Sequence, residues 1–345
     1  MTRIYIRAAE QISLQQPLCE AWMSAPELTT APWTPSKDPD FKEWLSPVES
    51  RRLGRILKRA LVSLLTITRK TGVEHPDAIC VGTGLGCMVN TERILETLCN
   101  NGESMVSPTH FMQSTHNTIA SLLAIHTKSH GYNITYSHKD LSSDLALLDA
   151  WMQFRLGRIH TALVGGYDEL TPSYYTLLRR IGYMGAEGAG PGAEASATLL
   201  LTDDCRDALC EMAGIRILYR PTDTALRQEL DRLLAEAGVS REELSAVLTG
   251  VNGNRANDAF YEAFTSQLLP EIPTLHYKHL FGTSYTASAY APYVAAHCLK
   301  RETLPECLAY GAIPTSGGTP RTLLSVNQCD GRQYSLQLFR SVCGN

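Results

Sequence analysis

The 345-residue sequence has no window of about 18 uninterrupted apolar residues, no run of five or more like charges and no CxxC pair. The first absence argues against a membrane-spanning helix. The second, with a formal net charge of -4, leaves no electrostatic footprint for nucleic acid or an anionic membrane surface. The third, with ten cysteines scattered among apolar neighbours and no Cys/His cluster at metal-ligand spacing, predicts buried free thiols and no bound metal. The start, MTRIYIRAAEQ, lacks an apolar stretch of signal-peptide length, so the cytoplasm is the expected compartment.

Nucleotide signatures are also missing. "GTGLGCM" (82 to 88) has only part of the GxGxxG spacing, with no acidic residue about 20 positions later to end a second strand at a ribose. There is no phosphate loop ending in Gly-Lys-Ser/Thr and no HExxH. No cofactor is expected.

What is present is the material of a large core, 44% hydrophobic and 19% charged, enough for one large body or two fused ones. Short β-rich apolar runs alternate with longer helical patterns, which predicts a layered α/β fold. "DAICVGTGLG" (77 to 86) and "TALVGGYDE" (161 to 169) are strands with glycine-rich ends. Between them, "HNTIASLLAIHTKSHG" (116 to 131) and "SSDLALLDAWMQFRLG" (142 to 157) carry helical spacing and end on glycine as a cap. The pattern restarts near residue 203 with "GIRILYRP", "ALRQELDRLLAEAG" and "LSAVLTGVNG", then a helix over 288 to 299 and two strands around a turn at Asp330-Gly331. Two similar halves, 1–203 and 204–345, packed as one body, would explain this.

"GYNITYSHKDLSSDLALLDAW" (131 to 151) reads as a strand entering a sharp turn and an amphipathic helix, a device by which several enzyme folds present a nucleophile. The turn position expected to hold Cys or Ser holds Asp140.

From residue 77 to 339 the sequence resembles the β-ketoacyl-acyl carrier protein synthases of the thiolase fold. "CVGTGLG" resembles that family's first glycine-rich strand end, "SPTHFMQSTHN" (107 to 117) its Ser-Pro…Asn helix lead, and "LVGGYDE" its Gly-Gly-x-Asp/Glu. The family nucleophile lies nine residues after a strand-opening glycine, 17 before a helix-ending glycine and 25 before the Gly-Gly pair; Gly131, Gly157 and Gly165 all assign that place to Asp140. "GVNGNRANDAFYEAF" (250 to 264) resembles the first histidine segment, with Asn254 in the histidine's place, and "YKHLFGTSYTASAYA" (277 to 291) the second, with Lys278 and Gly282 kept and Thr283 in the histidine's place. The gating loop is reduced to "NQCDGRQ" (327 to 333), with Cys329 for phenylalanine, and "GAEASA" (192 to 197) keeps a trace of Gly-Glu-Gly-Ala. The resemblance thus implies a layered αβαβα fold and a synthase scaffold with all three catalytic positions changed.

Condensation needs a thiolate to accept the acyl group and two imidazoles to polarise the malonyl thioester while carbon dioxide leaves. Asp140 can be neither. Expected instead is a helix-capping carboxylate, held by free backbone N–H groups and the helix dipole and so lowered in basicity. His138 reads as a hydrogen-bonded or surface group, Ser142 and Ser143 as small turn residues without a paired base. Lys278 is expected to order the pocket and to pair with Asp140 or Glu262.

A synthase scaffold without its catalytic residues resembles the chain-length factors, inactive partners of active ketosynthases in type II polyketide and aryl-polyene systems. The resemblance implies a heterodimer with an intact ketosynthase, and an acyl carrier protein met through that complex. It also implies a strand pairing across the dimer axis through Asn133, Ile134, Thr135, Tyr136 and Ser137. Phe111, Met112, Thr115 and Ile119 are expected to face the partner's acyl tunnel, or to serve in ordinary interface or core packing. The alternatives are an autonomous acyltransferase or hydrolase built on the Asp140, Asn254 and Thr283 pocket, and a homodimeric acyl-binding scaffold.

Overall fold

The computed structural model describes residues 2–102, 106–185, 189–309 and 319–342. Among these residues ten strands run in chain order as β1 (Tyr5–Ile12), β2 (Ala78–Gly86), β3 (Tyr132–Tyr136), β4 (Thr161–Asp168), β5 (Ala195–Thr202), β6 (Cys210–Tyr219), β7 (Ala246–Thr249), β8 (Thr274–His276), β9 (Thr322–Cys329) and β10 (Gln333–Arg340). The helices are α1 (Pro47–Arg52), α2 (Arg55–Thr71), α3 (Met88–Asn101), α4 (Pro108–Gln113), α5 (Thr118–Thr127), α6 (Ser142–Arg155), α7 (Pro172–Arg180), α8 (Asp223–Ala237), α9 (Arg255–Leu268), α10 (Lys278–Phe281) and α11 (Tyr290–Lys300).

The strands form one sheet in the order β3-β2-β4-β5-β1-β6-β10-β9-β7-β8. The second five repeat the first in mirror order and with the same pairing senses. β2 is parallel to β3 and β4, while β5 is antiparallel to β4 and β1; β7 is parallel to β8 and β9, while β10 is antiparallel to β9 and β6. The halves join where Tyr5 and Ile6 of β1 pair with Glu211 and Cys210 of β6.

Burial follows the layers. One apolar cluster, with Ala146, Phe154, Tyr290, Val294 and Leu299, places α6 and α11 at the centre. A second packs α2 and α5 outside the first half through Ile56, Leu61, Ile119 and Leu123. A third packs α8 and α9 outside the second half through Leu230, Leu233 and Phe264. This is the thiolase-like αβαβα arrangement. Helices covering both faces of β2, which pairs in parallel on both sides, explain why it reads as an unbroken apolar run rather than an alternation.

Local chemistry sets the ends. Asp330 and Gly331 both take the left-handed conformation, φ 52° and 62°, as a two-residue turn matching the twist of β9 and β10 requires. The expectation that Gly131 caps the helix over 116 to 131 is corrected: α5 ends at Thr127 and its cap is Lys128, itself left-handed at φ 50°. Gly131 instead leads into β3, where a Cβ would lie 2.1 Å from the Asp77 carbonyl oxygen. "GAEASA" turns out to enter β5, a strand buried along its whole length. Among the described residues every cysteine is a free thiol, and Cys80, Cys87, Cys210, Cys298 and Cys329 are buried; Cys343 lies outside them. Among the described residues no helix is long and apolar enough to cross a membrane.

Candidate functional site

The elbow is made by the chain leaving β3. Lys139 turns it at φ 46°, a conformation that costs a non-glycine residue energy and persists only where surroundings impose it. Here Ser142 does so: its Oγ accepts the His138 N–H at 2.8 Å and donates to the Lys139 carbonyl at 2.7 Å. The second half grips the same turn, since Asn327 Nδ2 donates to the Asp140 carbonyl at 2.8 Å and to Asp144 Oδ2 at 2.9 Å. Close packing on β2 completes it; a Cβ on Gly82 would come within 2.5 Å of the Ser142 carbonyl carbon.

The Asp140 side chain does not cap α6, whose N-terminal residue Leu141 makes no side-chain capping bond. Its carboxylate accepts the Tyr183 hydroxyl at 2.5 Å. Burial raises its pKa above the ordinary carboxyl value, against the opposing pull of Lys278 and the Tyr183 bond. Desolvation outweighs the helix-end field, so the expected loss of basicity is corrected to a gain.

Asp140, Tyr183, Asn252, Asn254, Lys278 and Thr283 line one cavity of about 230 Å³. Asn254 precedes α9 on a loop that Asp258 holds by accepting the Asn252 and Gly253 N–H groups at 3.1 and 2.7 Å. Thr283 follows Gly282, whose φ of 92° suits glycine. Its backbone N–H donates to the Pro191 carbonyl at 2.8 Å, while its buried Oγ1 has no partner among the described residues. Lys278 is 4% exposed. No ion pair within 4.0 Å joins it to Asp140 among the described residues, although the two charges act on each other, and Glu262 is exposed on α9. Burial lowers the Lys278 pKa, and the charges of Asp140, Asp144 and Asp258 oppose that.

The cavity can hydrogen-bond a small polar group, but among the described residues neither a cysteine nor a histidine lines it. Cys329, which interacts with Asp140, has its thiol pushed up to about 12, first by burial and then by that carboxylate. A thiol so raised is inert at neutral pH. Behind the elbow, Ser143, Leu147, Gly166, Ala289 and Pro292 enclose only about 10 Å³, about one water molecule's worth of space.

The glycine-rich end of β2 faces a carboxylate of its own protein. Asp168 accepts the Gly84 and Leu85 N–H groups, each at 2.8 Å, and the hydroxyls of Thr83 and Thr286 at 3.0 and 2.9 Å. Those two amides are therefore not free to cradle a phosphate. His138 is exposed, its Nε2 3.1 Å from Gln333 Oε1.

The interface candidates separate. Phe111 and Met112 are 64% and 72% exposed, and Thr115 is exposed. Ile119 is wholly buried among α2, α5 and β2, which is the core packing given as its alternative to the tunnel. Asn133, Ile134, Thr135 and Tyr136 belong to β3, an edge strand of the sheet; Ser137 follows its end. Sequence reasoning missed Tyr183, Asn327 and Gln337, which reach the elbow across 43, 187 and 193 residues. No local pattern marks them.

Residues 19–186 match the family model described as the β-ketoacyl synthase N-terminal domain. No curated protein matches the sequence. Among solved structures, the ishigamide ketosynthase/chain length factor aligns over 99% of this chain and 100% of its own, with a TM-score of 0.81 at 15% identity. A ketosynthase in complex with its chain length factor from Xenorhabdus doucetiae aligns over 99% and 98%, with 0.80 at 18%, and a β-ketoacyl synthase from Burkholderia phymatum STM815 over 99% and 100%, with 0.78 at 15%. The chain is thus similar to the β-ketoacyl synthases, in sequence over residues 19–186 and in fold over nearly its whole length.

Proposed function

We propose that this chain is a noncatalytic, chain-length-factor-like subunit that pairs with an active ketosynthase in the cytoplasm and supports polyketide, aryl-polyene or fatty-acid elongation on an acyl carrier protein. The observation that carries the reading is the elbow itself. Its backbone is clamped by Ser142, Asn327 and Gly82, yet its side chain is a carboxylate held by Tyr183. A carboxylate in that place neither accepts an acyl group stably from a thioester nor stands in for an imidazole. The space of about 10 Å³ among the described residues behind it is too small for an acyl chain at that place.

The edge strand β3 supports a pairing role. Its unpaired backbone groups would be a liability on a lone protein, and Phe111, Met112, Ile125 and Leu156 on and around the neighbouring helices are exposed apolar groups. The two halves of the proposal are tested by reconstitution. A ketosynthase that retains Cys and both His is expected to copurify with this chain and to elongate carrier-bound acyl groups faster, or to a different length, with it than without. Elongation by this chain alone would sink the reading.

A second reading, an autonomous acyl-thioester enzyme, draws on the buried Lys278 and on the Thr283 Oγ1, which has no partner among the described residues, in the same cavity as Asp140. It requires that partner-free protein turn over an acyl thioester and lose that activity on Asp140→Ala.

A further inference from the structure

The cavity beside Asp140 is walled by some polar groups and faced by others. The wall is held by Asn257 Oδ1, which accepts the Gln328 side-chain amide at 2.7 Å, by Gln328 Oε1, which accepts the Gly331 N–H at 2.8 Å, and by Asn252 Oδ1, which accepts the Asn254 N–H at 3.1 Å. Three further lining groups can reach a guest. Thr283 is 6% exposed, and its Oγ1 has no partner among the described residues. Lys278 is buried as deeply. Asn254 makes no side-chain capping bond to α9. A buried hydroxyl without a partner is rare in folded proteins and calls for something that completes it.

The charges decide what kind of guest. Asp140, Asp144 and Asp258 all act on the Lys278 ammonium, and the exposed Asp330 also lines the cavity. With several carboxyl groups around one ammonium there is no surplus positive charge, so a free anion would enter against repulsion, and a cation would meet Lys278. What fits is a neutral molecule with an acceptor oxygen for Lys278 and Thr283 and an N–H for the Asp140 carboxylate. A primary carboxamide carries both on one carbon. The volume of about 230 Å³ is below that of a drug-sized site. Gly182, Ala256 and Phe260 supply an apolar wall for the body of such a molecule.

We propose that this cavity binds a small neutral primary carboxamide, its oxygen held by Lys278 and Thr283 and its N–H by Asp140, and that it rejects carboxylates and esters of the same shape. The site goes beyond the noncatalytic reading and needs no partner chain. It is tested on the purified full chain at neutral pH by ligand-observed saturation-transfer NMR titration, with benzamide, benzoate and methyl benzoate as probes. Benzamide is expected to bind with a Kd of about 1 mM or tighter. Benzoate and methyl benzoate are expected to bind at least about tenfold more weakly, because each leaves a polar group of the site unmatched. Thr283→Val removes the unpartnered hydroxyl; it is expected to weaken benzamide binding about tenfold, while its Tm without probe stays at or above that of the wild type. Thr283→Ser is expected to keep the binding. No benzamide binding up to about 10 mM, equal binding of the three probes, or a folded Thr283→Val variant that binds as the wild type does overturns the proposal. None of these results touches the noncatalytic reading, which fails on acyl turnover by this chain alone.

Discussion

Asp168 and Asp140 are buried or half-buried carboxylates beyond the ends of β4 and β3, the two strands that flank β2, and they are treated in opposite ways. Asp168 accepts four hydrogen bonds, all from groups that shape the β2 end and the loop before α11. Asp140 accepts the Tyr183 hydroxyl, interacts with Cys329, and faces a cavity that Lys278 also lines. A saturated carboxylate is part of the scaffold. A less saturated one faces the cavity, and the clamps on the elbow backbone hold its shape whatever the side chain does.

The largest effect expected from breaking that comparison is at Asp168. Asp168→Ala leaves two N–H groups and two hydroxyls without their acceptor and should cost about 3–5 kcal/mol of stability in denaturant unfolding. Gly82→Ala tests the same scaffold from the packing side, since its Cβ would meet the Ser142 backbone at 2.5 Å; a loss of about 1–3 kcal/mol is expected. The cavity should respond in the other direction. Replacing both charges, Asp140→Asn with Lys278→Met, should leave stability unchanged or raise it by about 1–2 kcal/mol, as exchange of buried charges for neutral groups often does.

His276 sharpens the rule with a base. Burial lowers its pKa from 6.5 to about 4, while its Nε2 lies 3.2 Å from the Ala309 carbonyl. The unfolded chain therefore binds a proton that the folded chain refuses, so stability is intact above pH 6.5 and falls as pH drops from there towards 4. His276→Gln should flatten that part of the Tm-against-pH curve. The smallest effect is expected for Asp140→Asn alone, within about 1 kcal/mol at neutral pH. Since the Asp140 pKa is raised in the fold, the wild type should lose stability as pH climbs above the ordinary carboxyl range, and the variant should lose less.

The elements that could be read from sequence are those whose pattern is local. β2, β4, β9 and β10 announce themselves by apolar runs and by glycine or Asp-Gly at their ends, and α6 and α8 by helical spacing. β1 did not. Its Glu10 and Gln11 interrupt the apolar run, and only the fold shows that Lys70 and the Gln16 carbonyl satisfy them. α2 carried a readable signal in Ile56, Leu57, Ala60, Leu61, Leu64 and Ile67, and β5 was masked by the small residues that let it lie at the centre. Within the site, family spacing brought Asp140, Asn254, Lys278 and Thr283 to one cavity, because each follows a strand or glycine turn of fixed length. The state of Asp140 was not legible: capping is a local expectation, whereas Tyr183 and the desolvation that raises the pKa come from distant segments.

The central claim, that this elbow holds no acyl group, is tested most directly by intact mass spectrometry of the purified chain after incubation with an acyl-loaded carrier protein. The account predicts an unchanged mass for the wild type under conditions that load an active ketosynthase fully. A stoichiometric acyl adduct mapped to any residue lining the Asp140 cavity would contradict it.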